Sequence, residues 1–101
     1  MWLLIDDERN LNTEVVARTV EAARVILATN IPWECICFDH DLGSEMSGYD
    51  VLNWALSTNN LRTRKIQLVT SNPVGRQNMM NLLEDNGYTH TYGGVSFEKL
   101  D

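Results

Sequence analysis

No stretch of these 101 residues is long and apolar enough to span a bilayer, which takes about 20 consecutive apolar residues. The apolar start, Met1-Trp2-Leu3-Leu4-Ile5, lacks the basic residues that open a signal peptide and runs straight into Asp6-Asp7. It reads as a first strand, and a cytoplasmic chain with no membrane partner is the expectation. Low-complexity tracts are absent, and a composition 44% apolar and 22% charged can bury a core, so one domain over 1–101 is expected. Basic residues are few. Eight Lys and Arg against fourteen Asp and Glu leave a formal charge of −6, which repels nucleic-acid phosphates and argues against binding duplex DNA. Cysteines number only two, Cys35 and Cys37. Two apart on one strand, they face the same side, where a disulfide would distort the strand. Alone they are too few ligands for zinc, so they read as buried thiols in a reducing compartment.

What the chain does have is two acid clusters, each placed just after a short apolar run. The first is Leu3-Leu4-Ile5-Asp6-Asp7-Glu8, and the second is Cys35-Ile36-Cys37-Phe38-Asp39-His40-Asp41. Such runs suit buried strands of a parallel sheet, and ligands of open α/β sheets bind beyond the strands' carboxyl ends. Carboxylates about 4 Å apart repel by roughly 4 kcal/mol per pair at a surface-like dielectric. Gathering Asp6, Asp7 and Asp39 therefore calls for a cation, and hard oxygen ligands favour Mg²⁺ or Mn²⁺.

Between these clusters the pattern alternates. Strands are expected at 2–6, 15–17, 34–39 and 65–70, with a weaker one within 88–95. Helices are expected from Val20 to about Thr29 with Thr19 as cap, from Gly48 to about Ser57, and from Pro73 to about Asn86 with Asn72 as cap. Asn30, Asn59-Asn60 and Gly87 are the expected stops. A competing parse makes 13–29 one long helix, because Val16, Val20, Ala23 and Leu27 also keep helical spacing. Strands separated by crossover helices give a parallel sheet.

In this order the motifs resemble a response-regulator receiver domain. Leu4-Ile5-Asp6-Asp7-Glu8 is similar to that family's first strand with its paired acids, and Asp39 falls where its phospho-accepting aspartate lies. Gly48-Tyr49-Asp50-Val51-Leu52 resembles the start of the following helix, and Thr70 takes the place of the Ser or Thr ending strand four. Three features depart from the pattern. Residues 9–12 leave no room for a first helix, no final helix follows, and Thr91-Tyr92-Gly93-Gly94 stands where receivers carry a phosphate-pairing lysine. A closer resemblance is to the cyclic-phosphate processing receiver domains of phages and bacteria, carried by Asp39-His40-Asp41-Leu42-Gly43 and by Ser71-Asn72-Pro73-Val74-Gly75-Arg76. It implies a reduced flavodoxin-like, receiver-like α/β fold of two or three layers. The sheet would be five-stranded and parallel, lacking the first and last helices. It also implies processing of 2′,3′-cyclic phosphate ends, with a nucleotide or an RNA end as partner.

The residues suggest how such a site would work. Asp6, Asp7 and Asp39 are the metal ligands. Asp39 either attacks phosphorus or only binds metal while water attacks. Neighbours on a strand end point oppositely, so His40 faces away unless the loop turns it inward, where an imidazole suits proton donation to a leaving ribose oxygen. Asp41 is a further ligand or base. Thr70, Ser71 and Asn72, at the start of a helix, and Arg76 one turn inside form a phosphate half-site. Capping alone also accounts for Asn72. The competing functional readings are a phosphoacceptor module signalling through Asp39 and a non-catalytic, phage-type binder of a nucleotide or host factor. Losing both helices of one sheet face exposes apolar strand residues, so a homodimer through that face is expected.

Overall fold

The computed structural model describes residues 1–43, 45–92 and 95–99. Ser44 of the 40–47 loop, Gly93 and Gly94 of the lysine-less segment, and the last two residues lie outside them. The elements run β1 (Trp2–Ile5), β2 (Val15–Ala17), α1 (Val20–Ala28), β3 (Cys35–Phe38), α2 (Gly48–Ser57), β4 (Lys65–Leu68), α3 (Pro73–Asp85), β5 (Tyr88–Tyr92) and β6 (Ser96–Lys99). The strands form one sheet in the order β2-β1-β3-β4-β6-β5. The single-helix parse of 13–29 does not occur: Val15, Val16 and Ala17 pair in parallel with Leu3, Leu4 and Ile5.

Each helix begins where its cap dictates. The Thr19 hydroxyl accepts the Ala22 N–H, and Asn72 Oδ1 accepts the Gly75 N–H at 3.0 Å, with Pro73 as first helical residue. Ser47 starts α2 with a reciprocal pair: its hydroxyl accepts the Asp50 N–H, and the Asp50 carboxylate accepts the Ser47 N–H at 2.7 Å. Left-handed residues follow α1 and α2 at Asn30 (φ 60°) and Asn59 (φ 61°), and Gly87 (φ 88°) follows α3.

The connections β2→α1→β3, β3→α2→β4 and β4→α3→β5 all advance in the same direction across the sheet. Right-handed crossovers of that kind place their helices on one face. The core follows from it. Val20, Ala23 and Leu27 of α1, Val51, Leu52 and Ala55 of α2, and Met79 and Leu83 of α3 pack on Leu3, Ile5, Ile36, Phe38, Ile66 and Leu68. Leu4, Cys35 and Cys37 alternate onto the other face. The fold is thus two-layered, a reduced α/β arrangement.

Two expectations are corrected. The sheet is not five-stranded and parallel but six-stranded and mixed. β6 lies between β4 and β5 and runs antiparallel to both, pairing Lys65 with Glu98 and Ile66 with Phe97. Phe97, 1% exposed, is the residue that fastens this strand to the core. Nor is the helix-free face laid bare. Leu4, Cys35 and Cys37 are at most 1% exposed, flanked by Trp2, Val16 and Val69. The segment that stands in for the first helix runs along this face. Leu11, Thr13 and Glu14 share with Trp2, Cys37 and Gln67 a hollow of about 490 Å³. Both cysteines are free thiols, and the contact with Cys37 together with burial pushes the Cys35 thiol well above its usual range.

Candidate metal centre

Register brings the two acid clusters together. Ile5 and Phe38 are partners on β1 and β3, so Asp6 and Asp39 leave neighbouring strands at the same level. The Asp39 N–H donates to the Ile5 carbonyl at 2.9 Å, which continues the ladder into the site. Asp6 is fully buried and Asp39 is 6% exposed. Each of Asp6, Asp7 and Asp39 offers a carboxylate oxygen, and these oxygens lie within 4.8 Å of one another. They line a polar pocket of about 280 Å³ with Glu8, Arg9, Asp41 and Ser71.

Local turn chemistry holds Asp6. Its Oδ1 accepts the N–H groups of Glu8 and Arg9, both at 2.9 Å, so the carboxylate caps the turn that leaves β1. Its Oδ2 accepts Arg9 Nη1 at 2.9 Å, and the same nitrogen lies 3.6 Å from Asp39 Oδ1. Burial alone would raise the Asp6 pKa. The two backbone donors and the Arg9 guanidinium outweigh it and hold the carboxyl below its usual value. The same contact raises the Arg9 pKa, chiefly through the hydrogen bond its guanidinium donates to Asp6. Arg18, just past β2, braces the turn by donating to the carbonyls of Asp6 and Arg9 and to Asn10 Oδ1. Sequence reasoning missed both arginines. The only signal was the three-residue spacing of Arg9 from Asp6, and nothing in the sequence marks Arg18 as its neighbour.

The remaining candidates divide. Asp41 reaches the pocket, and His40 turns away from it. The His40 ring packs on the backbone of Gly75 in the first turn of α3, where an added Cβ would fall 2.3 Å from ring Cγ. Its Nδ1 lies 3.0 Å from Asp41 Oδ1, so imidazole and carboxylate form a pair at the pocket's exposed rim. The phosphate half-site is only partly assembled. Ser71 lines the pocket. Thr70 is 6% exposed and its hydroxyl accepts the Asn72 N–H, while Asn72 is used as the cap of α3. Arg76 sits beyond Asn72 on α3, donating its own N–H to the Asn72 carbonyl, and is not among the lining residues. The cation at the acids is Arg9, whose Nη1 lies 2.9 Å from Asp6 Oδ2 and 3.6 Å from Asp39 Oδ1.

A two-layer α/β fold with three acids at the carboxyl ends of adjacent parallel strands defines a receiver-like domain. The chain belongs to the cyclic-phosphate processing receiver domain family, whose family model matches residues 1–85, from β1 to the end of α3. The β5–β6 hairpin lies beyond that match. Comparison with curated proteins and with solved structures gave no match.

Proposed function

We propose that the chain performs divalent-metal-dependent phosphate-ester chemistry, opening a 2′,3′-cyclic phosphate on a nucleotide or RNA end. The observation that carries this reading is the convergence of the Asp6, Asp7 and Asp39 oxygens within 4.8 Å. The donor set fits a hard divalent ion: all three ligands are carboxylates, and a cation, the Arg9 guanidinium, already rests against two of them. When bound, Mg²⁺ or Mn²⁺ supplies charge neutralisation for a phosphate.

The chain's own groups supply the rest. Asp39, held by its own hydrogen bond from the His40 N–H at 2.8 Å, points a fixed carboxylate into the pocket as nucleophile or ligand. Asp41 at the rim, backed by the His40 imidazole, is suited to accept a proton from water or return one to the leaving ribose oxygen. Ser71 offers a hydroxyl to a phosphate oxygen. The net reaction adds water across one P–O bond and leaves a ribose monophosphate. Incubation of a 2′,3′-cyclic nucleotide with the protein and Mg²⁺ or Mn²⁺ tests it. Ring opening by the wild type, lost in Asp39→Asn at unchanged melting temperature, is the expected result. No turnover by the folded wild type across the four nucleobases would contradict it.

A further inference from the structure

Among the described residues, five acids line the pocket, Asp6, Asp7, Glu8, Asp39 and Asp41, and Arg9 is the one basic residue with them. In such a field a phosphate cannot enter unaided. A metal ion cannot reach Asp6 Oδ2 and Asp39 Oδ1 at coordination distance while a guanidinium stands 2.9 and 3.6 Å from them. We propose that Arg9 is an exchangeable counter-ion and the site's phosphate-binding residue. It occupies the place of the metal in the free chain, and when metal displaces it, its guanidinium turns to the incoming phosphate. The inference rests on the metal-dependent reading of the site.

The anchoring of Arg9 fits such an exchange. Its backbone is fixed at both ends of the residue: its N–H donates to Asp6 Oδ1 at 2.9 Å, and its carbonyl accepts from Arg18 Nη1. Its side chain is 37% exposed, so the guanidinium can leave the acids by rotation about its own stem while the turn stays intact. Moving it costs one charge-assisted hydrogen bond to Asp6, which the metal replaces. The released fork has several donors in the plane that a phosphate needs for a bidentate contact, and it is already at the mouth the phosphate must use. Linkage then follows. Metal and phosphate each bind poorly alone, and each improves the other's affinity by the same factor.

Calorimetric titration of the full chain with Mg²⁺, without and with saturating inorganic phosphate, tests this on wild type, Arg9→Gln and Arg9→Lys. Arg9→Gln should bind Mg²⁺ about tenfold tighter than wild type when phosphate is absent, and phosphate should then tighten Mg²⁺ binding less than it does in wild type. Arg9→Lys, which keeps a cation on the same turn, should stay near wild type in Mg²⁺ affinity. A brace without exchange would lower the melting temperature of Arg9→Gln and leave its Mg²⁺ affinity equal or weaker, which overturns the inference alone. Tight binding by both variants would also overturn it, because charge would not then be the competitor. Absence of Mg²⁺ binding in all three proteins would overturn the metal reading and the inference with it.

Discussion

Both oxygens of Asp6 are engaged, one by the turn and one by Arg9, and this sets how the protein responds to acid. The folded-state pKa of Asp6 lies below that of the unfolded chain, about 3.9 for a free aspartate. The stabilisation is therefore complete above the unfolded value and is lost as pH falls through the folded one. Thermal melts from pH 7 to pH 2 should show a steep acid limb below about pH 4 in wild type and a shallower one in Asp6→Asn. Equal limbs would mean that Asp6 is not the group responsible. At this scale the acids were legible in the sequence, because strand-end carboxylates stand out against apolar runs. Arg9 and Arg18 were not, since their roles depend on which loop folds over which strand end. His40 followed the alternation of a strand end and points away from Asp39.

Among elements, α2 and α3 owe their approach to the site to two glycines. A Cβ on Gly48, the first residue of α2, would lie 1.7 Å from the Asp39 carbonyl oxygen, and one on Gly75 would enter the His40 ring. The first clash is with backbone and cannot be relieved by a rotamer change. Gly48→Ala should therefore destabilise by roughly 1–3 kcal/mol and shift Asp39 as well. Denaturant melts together with Mg²⁺ titration read both effects, and a variant with wild-type stability would refute the close approach. The helices were well marked in the sequence. Thr19, Asn72-Pro73 and the stops at Asn30, Asn59 and Gly87 are local signals, and local signals survive folding. The strand expected within 88–95 is present as β5, and the one that went unread is β6. Ser96-Phe97-Glu98-Lys99 has a single apolar residue, and its strand identity comes from the open edge of β4.

For the whole molecule, the one-sided placement of helices follows from strand order, and charge follows a second polarity. Acids collect beyond the carboxyl ends of β1 and β3, whereas Arg62, Arg64 and Lys99 border a separate hollow where β4 begins and β6 ends. The helix-free face is buried at Leu4, Cys35 and Cys37 and half-buried at Trp2, Val16 and Val69, and it carries the hollow beside Trp2 and Leu11, the latter 43% exposed. We propose that a second copy of the chain covers this face. Light scattering at tens of micromolar should give twice the monomer mass of 11.5 kDa, and a monomer would oppose it. That helices are missing between β1 and β2 was readable from chain length alone. That Leu4, Cys35 and Cys37 would be buried against Trp2, Val16 and Val69 was not, because it depends on which strands lie side by side.

The convergence of three carboxylates on one divalent ion underlies every functional statement above. Anomalous scattering from a crystal soaked in Mn²⁺ addresses it directly. The expected result is one strong peak about 2 Å from oxygens of Asp6, Asp7 and Asp39, with the Arg9 guanidinium moved off Asp6. A saturated soak with no peak there, and Arg9 still seated between Asp6 and Asp39, would contradict it.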